Sequence, residues 1–344
     1  MQSSKYGTHR VIEPKGVLPQ AAKKISNDMD ITDNEILIDV AALNIDSASF
    51  TQIENEQGKD VEKIKKRILE IVNERGKMQN PVTGSGGMLI GTVEKIGKDL
   101  VSKVDIKVGD KIATLVSLSL TPLKIEKIKS INKEIDRVEI EGKAVLFESG
   151  IYVKLPEDLS ENLALAVLDV AGAPAQTSKM VKPGDNVLIL GAFGKSGILC
   201  SYEARKRVGP TGKVVGLVAF EKDKEELIKT GFCNEVIMAN AVNQAEVLEK
   251  ALEANGGKEY DISINCVNVP NTEMSTILPV KDEGIAYFFS MATSFTKAAL
   301  GAEGVGKDVS LYIGNGYTKG HAEIAINELR ESSVLRKIFE EKYN

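Results

Sequence analysis

The residues with the clearest chemical meaning are the glycines of Gly191-Ala-Phe-Gly194-Lys-Ser-Gly197. They follow an apolar run, Val187-Leu-Ile-Leu190, and open a segment with helical spacing that stops at Gly209-Pro210. In such a strand–turn–helix unit the first glycine permits a tight turn, the second lets backbone approach a diphosphate, and the third allows close helix–strand packing. Amides at the helix start then bind the anion. This predicts a dinucleotide site at Gly191, Phe193, Gly194, Lys195, Ser196 and Gly197. A phosphate loop of the GxxxxGK[ST] kind is excluded despite Gly194-Lys195-Ser196, because its first glycine would have to be Ile189. Lys195 is open to two readings, a phosphate contact or an exposed first-turn lysine. The acid that usually holds the adenosine ribose lies about 20 residues on. Glu221 is the nearest, although the helix dipole alone would also favour an acid there. No arginine marks a 2′-phosphate site, so the sequence favours NAD and leaves NADP open. Loops after later strands, at Cys266-Val267 and at Ser290 to Thr293, are expected at the nicotinamide end.

What is missing from the sequence also narrows the chemistry. The only histidines are His9 and His321, and the three cysteines, Cys200, Cys233 and Cys266, form no CxxC pair. A tetrahedral zinc site takes four ligands, often clustered in sequence. No metal is therefore expected, and the odd, scattered cysteines fit a reducing compartment without a disulfide framework. Lys plus Arg number 44 against 49 acids, a net charge of −5. That balance argues against general binding to nucleic acid or anionic membranes. No run approaches the length of a membrane span, and the N-terminal stretch lacks an apolar signal core, so a cytoplasmic location is expected.

The elements that must position these residues come in two styles. A chain of 344 residues predicts two domains at about 150 residues each. Before residue 155, short β-branched runs are broken by Gly, Asp and Asn: Glu35-Ile-Leu-Ile-Asp-Val40, Gly91-Thr-Val-Glu-Lys-Ile96, Asp110-Lys-Ile-Ala-Thr-Leu-Val116 and Ile151-Tyr-Val-Lys-Leu155. Alternation such as Ile36, Ile38, Val40 reads as half-buried strand. Residues 60–73 differ, with Val61, Ile64, Ile68, Leu69, Ile71 and Val72 at helical spacing. After residue 181, strands near 187–190, 213–219, 235–238, 260–264, 285–289 and 309–313 alternate with helical segments. That alternation implies an α/β domain with a parallel, doubly wound sheet. Residues 321–343 read as one terminal helix.

Several stretches resemble the medium-chain dehydrogenase/reductase superfamily: Asn34-Glu-Ile-Leu-Ile-Asp-Val-Ala-Ala-Leu-Asn44, Gly91-Thr-Val-Glu-Lys-Ile-Gly97, Val108-Gly-Asp-Lys-Ile112 and Val181-Lys-Pro-Gly-Asp-Asn-Val-Leu-Ile-Leu-Gly191. The resemblance implies a GroES-like β-rich catalytic domain at 1–155, a Rossmann domain at 156–317, and a terminal helix at 318–344 returning to the first domain. It also implies a homodimer or homotetramer. Four further stretches, 7–20, 42–51, 80–91 and 168–176, are similar to a zinc-independent branch acting on a diamino acid. That similarity implies NAD-dependent oxidative deamination of 3,5-diaminohexanoate at C3, giving 5-amino-3-oxohexanoate and ammonium in anaerobic lysine degradation. By the same resemblance Asp46 stands where zinc enzymes carry a cysteine ligand, Gly84-Ser-Gly-Gly-Met88 replaces their Gly-His-Glu, and Asp169 falls in the third ligand region.

An alkylammonium has a pKa near about 10.4 and arrives as a cation. Hydride cannot leave its carbon until the nitrogen lone pair is free, so the site needs a base, for which a carboxylate is suited. Asp46 and Asp169 are the candidates. Asp46 equally suits a helix cap. Asp169 lies in the apolar run ALAVLDVAGA, where a desolvated acid would have a raised pKa. Ser47 and Ser49 are candidate proton relays, and Glu148 is either an amine contact or a solvated strand-end acid. Arg10 and Lys15 are candidates for the substrate carboxylate, with His9 beside Arg10. Two other readings stand beside the amine dehydrogenase: a zinc-independent quinone or enone reductase on the same fold, and a nucleotide-binding protein without turnover.

Overall fold

The structure, a computed structural model, describes residues 3–290, 292–314 and 316–343 and divides into two compact units, Met1–Asp158 and Leu159–Asn344. In the first unit a small antiparallel pair, β1 (Val11–Glu13) and β2 (Lys24–Ile25), precedes β3 (Glu35–Ile45). Helices α1 (Ser47–Glu56) and α2 (Val61–Arg75) follow, then β4 (Gly87–Ile96), β5 (Lys111–Thr114), β6 (Leu123–Asn132), β7 (Arg137–Phe147) and β8 (Tyr152–Lys154). Six of these strands form an antiparallel sheet in the order β6-β7-β3-β4-β5-β8.

Strand β3 is more enclosed than its alternation suggested. Ile36, Ile38 and Val40 enter the main core, while Leu37 packs on the other face with Val145 and Phe147. Helix α2 adds Ile64, Ile68, Ile71 and Val72 to that main core, which is why its apolar residues keep helical spacing. Asp60 caps its start by accepting from the Glu62 and Lys63 amides.

The second unit opens with α3 (Glu161–Leu168) and α4 (Gly172–Met180), then alternates strictly: β9 (Asn186–Leu190), α5 (Lys195–Val208), β10 (Lys213–Val218), α6 (Glu221–Thr230), β11 (Glu235–Met238), α7 (Gln244–Ala254) and β12 (Tyr260–Asn265). The short α8 (Glu273–Ile277), β13 (Val280–Phe288), α9 (Phe295–Gly304) and β14 (Val309–Ile313) complete the sheet. All six strands are parallel, in the order β11-β10-β9-β12-β13-β14. The order reverses at β9, which lies between β10 and β12. In open sheets of this kind ligands bind at the carboxyl ends of the strands beside that reversal.

The terminal segment is two helices, α10 (His321–Glu331) and α11 (Ser333–Tyr343), and not one. Ser332 takes an extended conformation, and its hydroxyl accepts from the Leu335 amide, so it ends one helix and starts the next. Nor does this segment belong with the first unit, as the resemblance implied. Ala325, Leu329, Leu335 and Phe339 are buried where α10 packs on α3, α4 and α5, and α11 on α3. Among the described residues no helix is long and apolar enough to cross a membrane.

Candidate cofactor and catalytic site

The glycine turn sits at the carboxyl end of β9. Its first residue, Gly191, has φ +75°, a left-handed conformation that disfavours any side chain. The Gly191 and Ala192 amides both donate to the Leu217 carbonyl of β10, which fixes the turn to the neighbouring strand. Gly197 lies one turn into α5, where an added Cβ would be 2.0 Å from the Gly191 carbonyl oxygen. Gly194 differs from both. Its backbone is ordinary (φ −69°, ψ 170°), and an added Cβ would meet only Gly191 O, at 3.3 Å. It is solvent-exposed. The first helical bond of α5 at this end runs from Ile198 N to Gly194 O, so the amides of Lys195, Ser196 and Gly197 precede it. A diphosphate fits this cradle: an exposed backbone at Gly194, helix-start amides, and no acid on the turn.

Across the strand-order reversal, the Cys266 amide donates to the Leu190 carbonyl and the Val267 amide to Asn265 Oδ1. Asn265 is itself anchored by Thr272 and Thr276. These bonds bring Cys266 and Val267 against Gly191. Ser290 is buried beside the same strand end, its amide pointing to the Asn265 carbonyl at 3.4 Å, while Met291 of that loop lies outside the described residues. Glu221 is exposed as the first residue of α6, after an exposed Phe220. Cys200, on the inner face of α5, is buried with its sulfur 3.9 Å from that of Cys266, and burial pushes its thiol well up.

Asp169 is not the buried acid its apolar neighbours suggested. It is the residue after the last turn of α3, where the side chain leaves the packed face. Its carboxylate is 40% exposed and paired with Lys195 Nζ at 2.8 Å. It is not the desolvated acid expected of that run. The same contact occupies Lys195, whose ammonium also lies 5.5 Å from the centroid of the Tyr343 ring.

The candidates of the first unit fall into three groups. Asp46 caps α1, with Oδ1 accepting from the Ser49 amide at 3.0 Å, while Oδ2 is buried and has no hydrogen-bond partner among the described residues. Ser47 donates to Asp136 at 2.6 Å. Ser49 Oγ is buried and shares hydrogen bonds with Thr83 Oγ1 at 2.6 Å and Ser85 Oγ at 2.7 Å, a hydroxyl cluster that sequence reading missed. Glu148 is held by Lys103 and Asn34, and their hydrogen bonds keep its carboxyl below the usual range. That is the strand-end reading.

Arg10 and His9 require a correction, because both are turned inward on Glu35. Arg10 Nε and Nη2 grip the two Glu35 oxygens at 2.7 and 2.6 Å, and its remaining donors reach the Asp28 and Asp30 carbonyls. His9 Nε2 is 2.9 Å from the same carboxylate. Burial alone would raise Glu35, but the Arg10 fork and the Thr32 amide hold it below its ordinary value. A substrate carboxylate would have to displace Glu35 from a fully buried pair. Lys15 is likewise engaged, by the Val11 carbonyl.

Comparison with known proteins decides the family. The chain is 72% identical, over 100% of both chains, to L-erythro-3,5-diaminohexanoate dehydrogenase of Acetoanaerobium sticklandii, and 71% identical, over 98% of both, to that of Fusobacterium nucleatum subsp. nucleatum. The chain belongs to the L-erythro-3,5-diaminohexanoate dehydrogenase family. Residues 9–156 match the model of that family's N-terminal domain. Solved structures share the two-domain fold at low identity. A quinone oxidoreductase of Pseudomonas syringae pv. Tomato DC3000 is 18% identical with a TM-score of 0.52, covering 95% of this chain and 86% of its own. A mycobacterial protein solved with NADPH is 16% identical with a TM-score of 0.52 over the same shares. The fold of the family is thus a GroES-like antiparallel unit and a Rossmann-type unit, with Arg10, Glu35 and Asp46 inside the matched N-terminal domain and the glycine turn outside it.

Proposed function

We propose that this protein is a nicotinamide-dependent dehydrogenase that oxidatively deaminates L-erythro-3,5-diaminohexanoate to 5-amino-3-oxohexanoate with release of ammonium. The observation that carries the reading is 72% identity, end to end, with a dehydrogenase named for that substrate. The glycine cradle at the end of β9 supports a dinucleotide, with NAD favoured by Glu221 and by the lack of an arginine at the start of α6. Lysine degradation is the setting the substrate suggests.

A bound nicotinamide supplies the hydride acceptor. The chain's own residues must hold the diamine and take a proton from its reacting nitrogen. Asp46 Oδ2 is the carboxylate oxygen best suited to that task, because no group of the described chain satisfies it. Asp169 can serve only after Lys195 releases it. Asp46→Asn is expected to lower kcat/KM by about 10²-fold or more, the usual contribution of a general base. Asp169→Asn is expected to do less.

The test is the rise of reduced-nicotinamide absorbance with purified protein, NAD⁺ and 3,5-diaminohexanoate, with NADP⁺ and lysine as controls. Turnover with the diamine alone supports the reading. Quinone reduction without amine oxidation would replace it with the reductase reading, and cofactor binding without turnover of either would leave a nucleotide-binding protein.

A further inference from the structure

A dinucleotide brings two or more negative charges to the glycine turn, yet the turn's own lysine is already neutralised by Asp169 at 2.8 Å. A second cation comes from the far end of the unit. Lys342, in the last turn of α11, places Nζ 4.0 Å from the centroid of Phe193, the residue beside Gly194 in the turn. No carboxylate among the described residues makes an ion pair with it, whereas Lys195 of the turn is paired with Asp169. The charged groups of α6 that act on it are Asp223 and Lys222 in the first turn and Glu226 one turn further on. One ammonium therefore faces both the turn after β9 and the helix start after β10, where an open parallel sheet receives the phosphates and the ribose of a dinucleotide.

Lys342 is held there by packing. Leu335 and Phe339 are fully buried, and the Phe339 and Tyr343 rings meet at a tilt with centroids 5.2 Å apart. Glu331 of α10 binds Lys206 and Tyr202 of α5. Partial desolvation lowers its pKa from the ordinary lysine value, with Asp223 and Glu226 opposing that shift and Lys222 adding to it.

We infer that Lys342 is a cofactor-binding residue, supplying from α11 the positive charge that pairs with a cofactor phosphate over the glycine turn. This rests on the dinucleotide reading above. Lys195 and Tyr343 then act as positioning residues, with Lys195 kept on Asp169 while Lys342 meets the phosphate.

The experiment measures Kd of NADH and NADPH, by the fluorescence of the reduced nicotinamide, for the full-length protein and for Lys342→Met, Lys342→Ala and Lys342→Arg. Methionine keeps the stem on Phe193 and removes only the charge. The expected result is an approximately tenfold weaker Kd in Met and Ala, a shallower salt dependence, near-complete rescue by Arg, and an unchanged KM for the diamine. Equal weakening for both nucleotides places the contact on the diphosphate, and weakening confined to NADPH places it on the 2′-phosphate. Wild-type affinity and salt slope in Lys342→Met would overturn the inference while leaving the cofactor reading standing. Failure of the wild-type protein to bind either nucleotide would overturn both.

Discussion

Replacing Gly194 and Gly197 separately by alanine separates cofactor binding from folding within a single turn. At Gly194 the backbone is one any residue adopts, and the nearest non-neighbouring atom to a new Cβ is an oxygen at 3.3 Å. Alanine there reduces the freedom of the unfolded chain, worth about 0.4–1 kcal/mol. It is a poorer helix cap than glycine by a comparable amount. The two nearly cancel, so Gly194→Ala is expected to unfold within about 1 kcal/mol of wild type. Its methyl nevertheless occupies the exposed face of the cradle. Loss of one charge-assisted amide–phosphate bond, about 1.5–3 kcal/mol, weakens NADH binding by roughly 10- to 100-fold. At Gly197 the new Cβ would be 2.0 Å from Gly191 O and 2.8 Å from its carbonyl carbon, both backbone atoms of a turn tied to β10. The gain of about 1 kcal/mol in helix propensity does not offset that collision. Gly197→Ala is expected to lose about 1–3 kcal/mol or more. Urea unfolding gives the first quantity and reduced-nicotinamide fluorescence the second. NADH affinity within twofold of wild type in a folded Gly194→Ala protein would refute the cradle.

Two further predictions concern buried charge. Glu328 of α10 is wholly buried, and burial first, then the charge of Glu203, push its carboxyl well above the ordinary value. Its neutral form is favoured in the fold, so the stability it contributes is full below about pH 4.5 and is lost as pH rises toward the folded pKa. Glu328→Gln, which does not titrate, is expected to match wild type in acid and to exceed it by roughly 1–3 kcal/mol at pH 8; a less stable variant at pH 8 would contradict this. Arg10→Ala leaves Glu35 buried without its guanidinium partner, and is expected to cost about 3–5 kcal/mol in urea unfolding with little change in the diamine KM. A large rise in KM at wild-type stability would instead return Arg10 to substrate binding.

The parallel unit was more legible in the sequence than the antiparallel one. Continuous apolar strands such as Val187-Leu-Ile-Leu190, buried on both faces, and the glycine turn that follows carry their own signals. The hairpin β6–β7 passed unnoticed because its outer face is Lys- and Glu-rich, as in Leu123-Lys-Ile-Glu-Lys-Ile-Lys, and Gly142 interrupts its partner. That glycine is required where the strands approach, since a Cβ would lie 2.4 Å from the Lys124 carbonyl oxygen. The cofactor residues on the turn could be read locally, through the type and order of residues. Those supplied by distant segments could not. Nothing near Lys342 indicates that it would meet Phe193, and nothing near Arg10 indicates that Glu35 would claim it. Asp169 was misjudged because its neighbours are buried and it sits one residue past the end of their helix.

The placement of α10 and α11 bears on how the chain is made. A ribosome delivers α3, α4 and α5 long before residues 321–343 emerge, yet those early helices bury their faces against the late ones. Through most of translation the surface around Glu203 and Phe193 therefore lacks its cover, and the outer faces of α3, α4 and α5 wait on the last two helices. Chains stopped a few dozen residues early would display that uncovered face, the kind of surface chaperones and proteases recognise.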